Sequence, residues 1–182
     1  MAQDVFCFLA HYESTGPEIW KETNGTVTHF ITGCGTGGTI TGTATFLKEK
    51  NRNVHVIAVQ AQKNHLLQGL RNFEESSMPD LFKRREKIVD EWMTATNKDS
   101  FDAVRQIVET EGMLVGPSSG SVMSSMLKAA QNLDRGVIVG IFADDGRKFK
   151  SLYVKENVMN EQEYDWALKN AKHLPKLAYS MN

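Results

Sequence analysis

The sequence predicts an α/β fold of three layers, in which a mostly parallel sheet carries helices on both faces. Three apolar runs rich in β-branched residues have the length of buried strands and occupy residues 27–32, 54–60 and 136–143. Amphipathic runs with helical spacing lie between them. Because a strand–helix–strand unit joins its strands in parallel, this order predicts a parallel sheet with right-handed crossovers.

The first half of the chain supplies two helices and two of the strands. A helix is predicted to begin at Thr15, which has the position of an N-cap, with Pro17 in its first turn. After the first strand, a glycine-rich turn leads into a helix from Thr39 to Lys50. The second strand completes one βαβ unit, and any ligand is expected at the carboxyl ends of these strands.

The middle of the chain is the least regular part. Residues 61–97 are predicted to form a long, partly helical excursion of the kind that often walls a binding site. Within it, residues 88–93 are predicted to be extended. A helix over residues 101–111 follows, capped by residues 97–100.

A second turn of small residues covers residues 112–121 and leads into a helix predicted over residues 122–133. The third strand then ends at Asp144, at the same edge of the sheet as the first turn. The remainder, residues 147–182, is predicted to be one short helix and a charged tail. The residues expected to dock this tail are Tyr164, Trp166 and Leu168.

The first turn, residues 32–39, contains four glycines and three threonines. Glycines let several backbone amides approach one anion, and the following helix adds the positive end of its dipole. This composition predicts a cradle for a compact phosphate, with hydroxyls from Thr36 and Thr39. The glycine spacing G-x-G-x-x-G also permits a dinucleotide site, but Gln60 ends the second strand where ribose binding requires an acid. A turn that only packs a helix close to a strand is the remaining alternative.

Composition excludes several classes of function. The chain has 21 basic and 22 acidic residues and a net charge of -1, which predicts no nucleic-acid partner. Its early apolar run, residues 5–10, is too short to span a membrane, so no membrane association is expected. Cys7 and Cys34 have no metal-ligand spacing and are predicted to be reduced thiols of a cytoplasmic protein. We expect His29 to lie within the sheet and have no catalytic role.

The two turns, taken in this order, resemble a known family. The residues that carry the resemblance are Gly35–Thr39, Gly116–Gly120 and Asp144–Arg147, preceded by the segment His11–Trp20. They resemble the carboxyl-terminal half of the cysteine synthase and cystathionine β-synthase group, which are pyridoxal-phosphate enzymes of the tryptophan-synthase β-subunit fold, or fold type II. The resemblance covers about residues 8–155 and implies the large-domain portion of that fold.

The resemblance implies pyridoxal phosphate as the cofactor and an amino acid as the substrate. Ser118 would hydrogen-bond the pyridine nitrogen, and a neutral hydroxyl there favours β-elimination over transamination because it does not force that nitrogen to be protonated. Enzymes of this group replace the β-substituent of serine or an O-substituted serine with sulfide or a thiol. The cofactor phosphate would be held by Gly35, Thr36, Gly37, Gly38 and Thr39.

The resemblance also implies what this chain lacks. Family members carry the Schiff-base lysine and a loop that grips the substrate in an amino-terminal half, which has no counterpart in residues 1–182. We therefore expect residues 1–182 to be a single partial domain that does not turn over by itself, with no catalytic residue and no metal ligand. The alternative is a non-catalytic module that pairs with a full-length relative. Apolar surface left uncovered is expected to make the chain form oligomers.

Overall fold

Four parallel strands form the centre of the structure, a computed structural model that describes residues 2–171. The strands are β1 (His29–Gly33), β2 (His55–Ala61), β3 (Glu91–Ala95) and β4 (Ile138–Gly140). They lie in the order β3-β2-β1-β4, and every neighbouring pair is parallel. The predicted fold class, a parallel α/β sheet, is therefore confirmed.

Helices lie on both sides of this sheet. A π-helical turn, His11–Thr15, joins the first two of them, and two 3-10 turns cover Glu86–Ile88 and Gly146–Phe149. The α-helices are α1 (Ala2–Ala10), α2 (Gly16–Glu22), α3 (Gly38–Lys50), α4 (Asp80–Lys83), α5 (Asn97–Glu111), α6 (Pro117–Ala130), α7 (Lys150–Lys155) and α8 (Glu161–Asn170).

Alternate residues of the central strands separate two hydrophobic cores. Ile31 and Ile57 belong to the core that includes residues of α5 and α6. Phe30 and Val56 belong to the core that includes residues of α2 and α3. Because successive side chains of a strand point to opposite faces, burying both sets requires a helical layer on each side of the sheet.

The predicted helix matches α2, which directly follows Thr15, but the predicted cap at Thr15 is wrong. The chain is helical without interruption from Ala2 to Glu22, and Thr15 has helical backbone angles and caps nothing with its side chain. Its hydroxyl lies 2.9 Å from Nδ1 of His11 instead. The capping pattern was present in the sequence, but the local histidine partner replaced the backbone amide as the bonding group.

Several other predicted boundaries are corrected. Helix α5 begins at Asn97, because the hydroxyl of Thr96 accepts the first-turn amide and extends the helix over the residues predicted to cap it. Helix α6 begins at Pro117, five residues before the predicted start at Val122, since proline fits the first position of a helix. The segment predicted to be extended at 88–93 forms a strand only from Glu91, and β4 is shorter than the predicted third strand.

The carboxyl-terminal part contains two helices, α7 and α8, where one was predicted. Tyr164 is buried as expected, with 1% of its surface exposed, but Trp166 is 61% exposed and Leu168 is 36% exposed. Docking by Trp166 and Leu168 was therefore a wrong prediction. The last part of the predicted tail, residues 172–182, lies outside the described residues. None of the helices described combines the length and apolar character needed to cross a bilayer.

Candidate functional site

A cavity of about 400 Å³ lies at the carboxyl end of β1. In parallel α/β sheets this edge is where ligands bind, because the loops that follow the strands meet there. The residues lining the cavity come from the end of β1 and the first turn, the excursion, the start of α6 and the segment that follows β4. They are Thr32, Gly33, Gly35, Thr36, Gly37, Thr39, Gly69, Leu70, Arg71, Ser118, Val122, Ile141, Ala143 and Asp144.

Near the end of the first turn, the backbone takes a conformation that favours glycine. Gly37 is the N-cap of α3 and has a φ of 85°, in the left-handed region that side chains disfavour. Its carbonyl accepts the amide and the hydroxyl of Thr41, at 3.0 and 2.7 Å. This bonding fixes the turn at the start of α3. The first amides of that helix lack helical partners and lie at its cavity end.

Five of the six residues predicted to bind the cofactor line this cavity, and Gly38 does not. Gly38 instead faces α1, where a methyl group on it would lie 2.9 Å from Cβ of Cys7. The absence of a side chain at Gly38 therefore allows α1 to pack against the start of α3. Only its backbone remains available to a ligand.

The second turn brings a buried hydroxyl to the cavity. Ser118 is the second residue of α6 and is 8% exposed. Its Oγ is buried and has no hydrogen-bond partner among the described residues. A buried polar atom without a partner costs free energy, so its retention at a cavity wall points to a ligand atom that it binds.

The second turn is held from behind by the segment that follows β4, and two tyrosines bond the two sides of this contact. The amide of Gly116 donates to the carbonyl of Asp144 at 2.8 Å. The hydroxyl of Tyr153, from α7, donates to the carbonyl of Val115 at 2.5 Å, and that of Tyr164, from α8, donates to the carbonyl of Arg147 at 2.7 Å. Tyr153 therefore holds the backbone leading to Ser118 directly, whereas Tyr164 holds the segment against which that backbone packs.

Gly69 connects the two turns. A methyl group on Gly35 would lie 2.6 Å from the carbonyl oxygen of Gly69, and a methyl group on Gly69 would lie 3.8 Å from Oγ of Ser118. The amide of Arg71 then donates to the carbonyl of Cys34 at 2.9 Å. The sequence predicted that the excursion walls a site. Within the excursion, only the glycine at position 69 indicated which residues form that wall.

The ionisable groups around the first turn are consistent with a binding role. Burial raises the pKa of the Cys34 thiol to about 12, so the thiol stays protonated at neutral pH and is not an activated nucleophile. Arg71 and Asp144 are the charged residues in the described cavity wall. The carboxylate of Asp144 is paired with Nζ of Lys148 at 2.9 Å.

The sequence profile of the family described as "Pyridoxal-phosphate dependent enzyme" matches residues 3–144. The chain belongs to this family. Its members are pyridoxal-phosphate dependent, as the resemblance of the two turns implied.

Individual relatives agree with the family assignment. The chain is 35% identical to a protein named cysteine synthase B from Pseudomonas aeruginosa, over 78% of this chain and 47% of that protein. It is 33% identical to an O-acetylserine dependent cystathionine beta-synthase from Bacillus subtilis, over 80% of this chain and 49% of that protein. The chain thus spans about half the length of the curated relatives it matches.

Solved structures show the same architecture. The crystal structure of an O-acetylserine dependent cystathionine beta-synthase from Helicobacter pylori aligns with a TM-score of 0.73 at 30% sequence identity. The alignment covers 80% of this chain and 49% of that one. The three-layer arrangement described above is therefore the fold of this family, fold type II.

The dinucleotide alternative lacks support at Gln60. Its side-chain amide donates to the hydroxyl of Thr94 at 3.3 Å, and its side-chain carbonyl accepts the amide of Phe73 at 3.4 Å. Both bonds tie Gln60 to neighbouring segments, and it does not line the cavity.

Proposed function

We propose that this chain forms the phosphate and ring-nitrogen side of a pyridoxal-phosphate site, in an enzyme that replaces or eliminates the β-substituent of serine or an O-substituted serine. The observation that carries the proposal is the hydroxyl of Ser118. It is buried, it has no partner among the described residues, and it lies at the same cavity as the glycine turn. A ligand with a hydrogen-bonding ring atom at one end and an anion at the other fits this arrangement.

The phosphate end is assigned to the backbone amides of Gly35, Thr36, Gly37, Gly38 and Thr39 and to the two threonine hydroxyls. The conformation of the turn supports this, because a methyl group on Gly35 would already crowd the Gly69 carbonyl. The start of α3 adds the positive end of its dipole, which favours an anion. No lysine is needed to neutralise the phosphate in such a cradle.

Ser118 is assigned to the ring nitrogen. When bound, pyridoxal phosphate supplies an electron sink that stabilises negative charge at the α-carbon of an amino acid. The hydroxyl of Ser118 can donate its proton to a neutral ring nitrogen, whereas a carboxylate would favour the protonated ring. This moderates the sink and supports loss of the β-substituent, the reaction implied by the family resemblance.

We propose that residues 1–182 alone do not turn over. The described part of the cavity wall contains no lysine, and this chemistry requires a lysine amine to hold the cofactor and to move the α-proton. The same observation favours a second candidate function, a non-catalytic module that pairs with a full-length relative. Capture of such a relative on the immobilised chain, above the level of an unrelated α/β protein, would support the module, and background recovery would exclude it.

The test of the binding proposal is a titration of the purified chain with pyridoxal phosphate, followed by absorbance and by intrinsic fluorescence. We expect saturable binding that Ser118→Ala weakens. Ser121→Ala is the matched control, because Ser121 lies in the same helix but bonds Ser100 and Pro117 and does not line the cavity. Absence of any spectral change with the unaltered chain would refute the proposal.

We also propose that the chain associates with a second copy or a longer relative, in the cytoplasm. Large apolar side chains support the association, since Phe6 is 70% exposed and Trp166 is 61% exposed. The free thiols of Cys7 and Cys34 support a reducing compartment. Light scattering that finds a monodisperse monomer would contradict the association.

A further inference from the structure

A series of three side chains leads from the π-helical turn His11–Thr15 to the proposed phosphate cradle. Nδ1 of His11 lies 2.9 Å from the hydroxyl oxygen of Thr15, and Nε2 of the same ring lies 3.0 Å from the hydroxyl oxygen of Thr39. Thr39 is the second residue of α3 and lines the cavity, whereas neither His11 nor Thr15 does. His11 is therefore placed to act on a ligand only through Thr39.

Local structure fixes this arrangement. His11 and Thr15 are four residues apart in the π-helical turn, in which the amide of Gly16 donates to the carbonyl of His11, and they share one face of it. Gly42 lets this turn approach α3, because a methyl group there would lie 2.9 Å from Cβ of His11 and 3.0 Å from the amide nitrogen of Tyr12. The close packing of the two helices brings the ring within hydrogen-bond distance of Thr39.

The number of available protons decides which atom donates in each of these hydrogen bonds. A threonine hydroxyl has one proton, and a neutral imidazole has one donor and one acceptor nitrogen. If Nε2 accepts from Thr39, the threonine proton is used and cannot be donated to an anion. If Nε2 donates, the proton of Thr39 remains free to face the cavity. Burial lowers the pKa of His11, which keeps the ring neutral near pH 7, so that Nε2 can either accept from Thr39 or donate to it.

A phosphate oxygen accepts hydrogen bonds and donates none unless it is protonated. Only one direction of bonding therefore satisfies every group: Thr15 donates to Nδ1, Nε2 donates to Thr39, and Thr39 donates to the phosphate. The buried position of Thr15, with 8% of its surface exposed, favours this bond because few other partners can reach its hydroxyl.

We propose that His11 is a positioning residue that holds the hydroxyl of Thr39 as a donor to the cofactor phosphate, and so favours phosphorylated over unphosphorylated pyridoxal. This inference rests on the proposed function of the same cavity. It assigns to the segment before the glycine turn a part in choosing the ligand, in addition to its packing against α3.

The first test compares two ligands on the full chain. We expect His11→Ala to weaken binding of pyridoxal phosphate by roughly tenfold, as for one hydrogen bond to a charged group, and to leave binding of pyridoxal unchanged. His11→Gln, whose amide supplies an N–H donor, should recover part of the loss. His29→Ala is the control, since His29 begins β1 at the end away from the cavity. Equal losses for both ligands would overturn the proposal.

A double-mutant cycle separates positioning from packing. Thr39→Val keeps the shape of residue 39 and removes its hydroxyl, so His11→Ala should cause no further loss of pyridoxal-phosphate binding in that background. Additive losses would mean that His11 acts on the fold and not through Thr39, and would overturn the proposal.

The second test needs no ligand. Nitrogen-15 chemical shifts of the His11 ring in the unliganded protein should report a protonated Nε2 and an unprotonated Nδ1 near pH 7. The opposite tautomer would overturn the positioning role even if pyridoxal phosphate binds. Conversely, the expected tautomer together with no binding of pyridoxal phosphate would support the hydrogen-bond direction and refute the proposed function of the cavity.

Discussion

Ser118→Ala should stabilise the unliganded protein while weakening its binding of pyridoxal phosphate. The hydroxyl oxygen is buried without a partner, and such an atom costs about 1–3 kcal/mol of folding free energy. Removing it should raise the free energy of unfolding by about that amount. For a chain of this length each kcal/mol corresponds to about 2–4 °C in melting temperature. Urea and thermal unfolding, followed by circular dichroism, measure both quantities.

Ser121→Ala is the matched control for this prediction. Ser121 is also buried in α6, but its hydroxyl lies 2.9 Å from that of Ser100 and donates to the carbonyl of Pro117 at 3.1 Å. Its removal should lower stability by about 1 kcal/mol. Both substitutions gain the same helix propensity, about half a kcal/mol, so their difference reports the hydrogen bonding. If Ser118→Ala destabilises the protein as much as Ser121→Ala does, the reasoning from the unpartnered hydroxyl is refuted.

Three further predictions follow from the described contacts. Gly35→Ala should abolish saturable binding of pyridoxal phosphate, because its methyl group would lie 2.6 Å from the backbone carbonyl of Gly69 and displace the first turn. A titration in which the Gly35→Ala variant binds as tightly as the unaltered chain would contradict this. Burial raises the pKa of Cys34 from its ordinary value of 9.0 to about 12. Because the unfolded chain loses this proton first, stability should be intact below pH 9 and fall between about pH 9 and 12. The midpoints of urea unfolding measured across that range should fall less for Cys34→Ala than for the unaltered chain. Tyr153→Phe should lower the free energy of unfolding by about 1–3 kcal/mol, since it leaves the buried carbonyl of Val115 without its donor; a midpoint in urea equal to that of the unaltered chain would show that the carbonyl finds another partner.

The sequence was sufficient for the two central strands because their signals are local and strong. The runs of β-branched residues predicted β1 and β2 to within about two residues at each end. The phosphate turn was recognised from its glycines, and the family from the pair of turns. These features depend on residues that are neighbours in the chain, so no tertiary contact was needed to find them.

The parts that the sequence did not predict depend on contacts between distant segments. His11 reaches Thr39 only because Gly42 lets two helices pack closely, and no spacing rule relates these residues. Gly69 lies between the two turns because the excursion folds back on Cys34, which periodicity cannot reveal. Trp166 was expected to dock together with Tyr164, but in α8 it lies about 200° around the helix from the buried Tyr164 and is therefore exposed.

The two tyrosines behind the second turn affect how this protein can be recombined with its relatives. The family profile ends at residue 144, and every cavity-lining residue lies at or before that position. Tyr153, whose hydroxyl holds the backbone of the second turn at Val115, and Tyr164, whose hydroxyl holds the adjoining backbone at Arg147, come after it. A chimera joined at residue 144 would inherit the whole cavity wall and lose both supports unless the donor sequence replaced them, so a crossover after Asn170 is the better choice for exchanging this region intact.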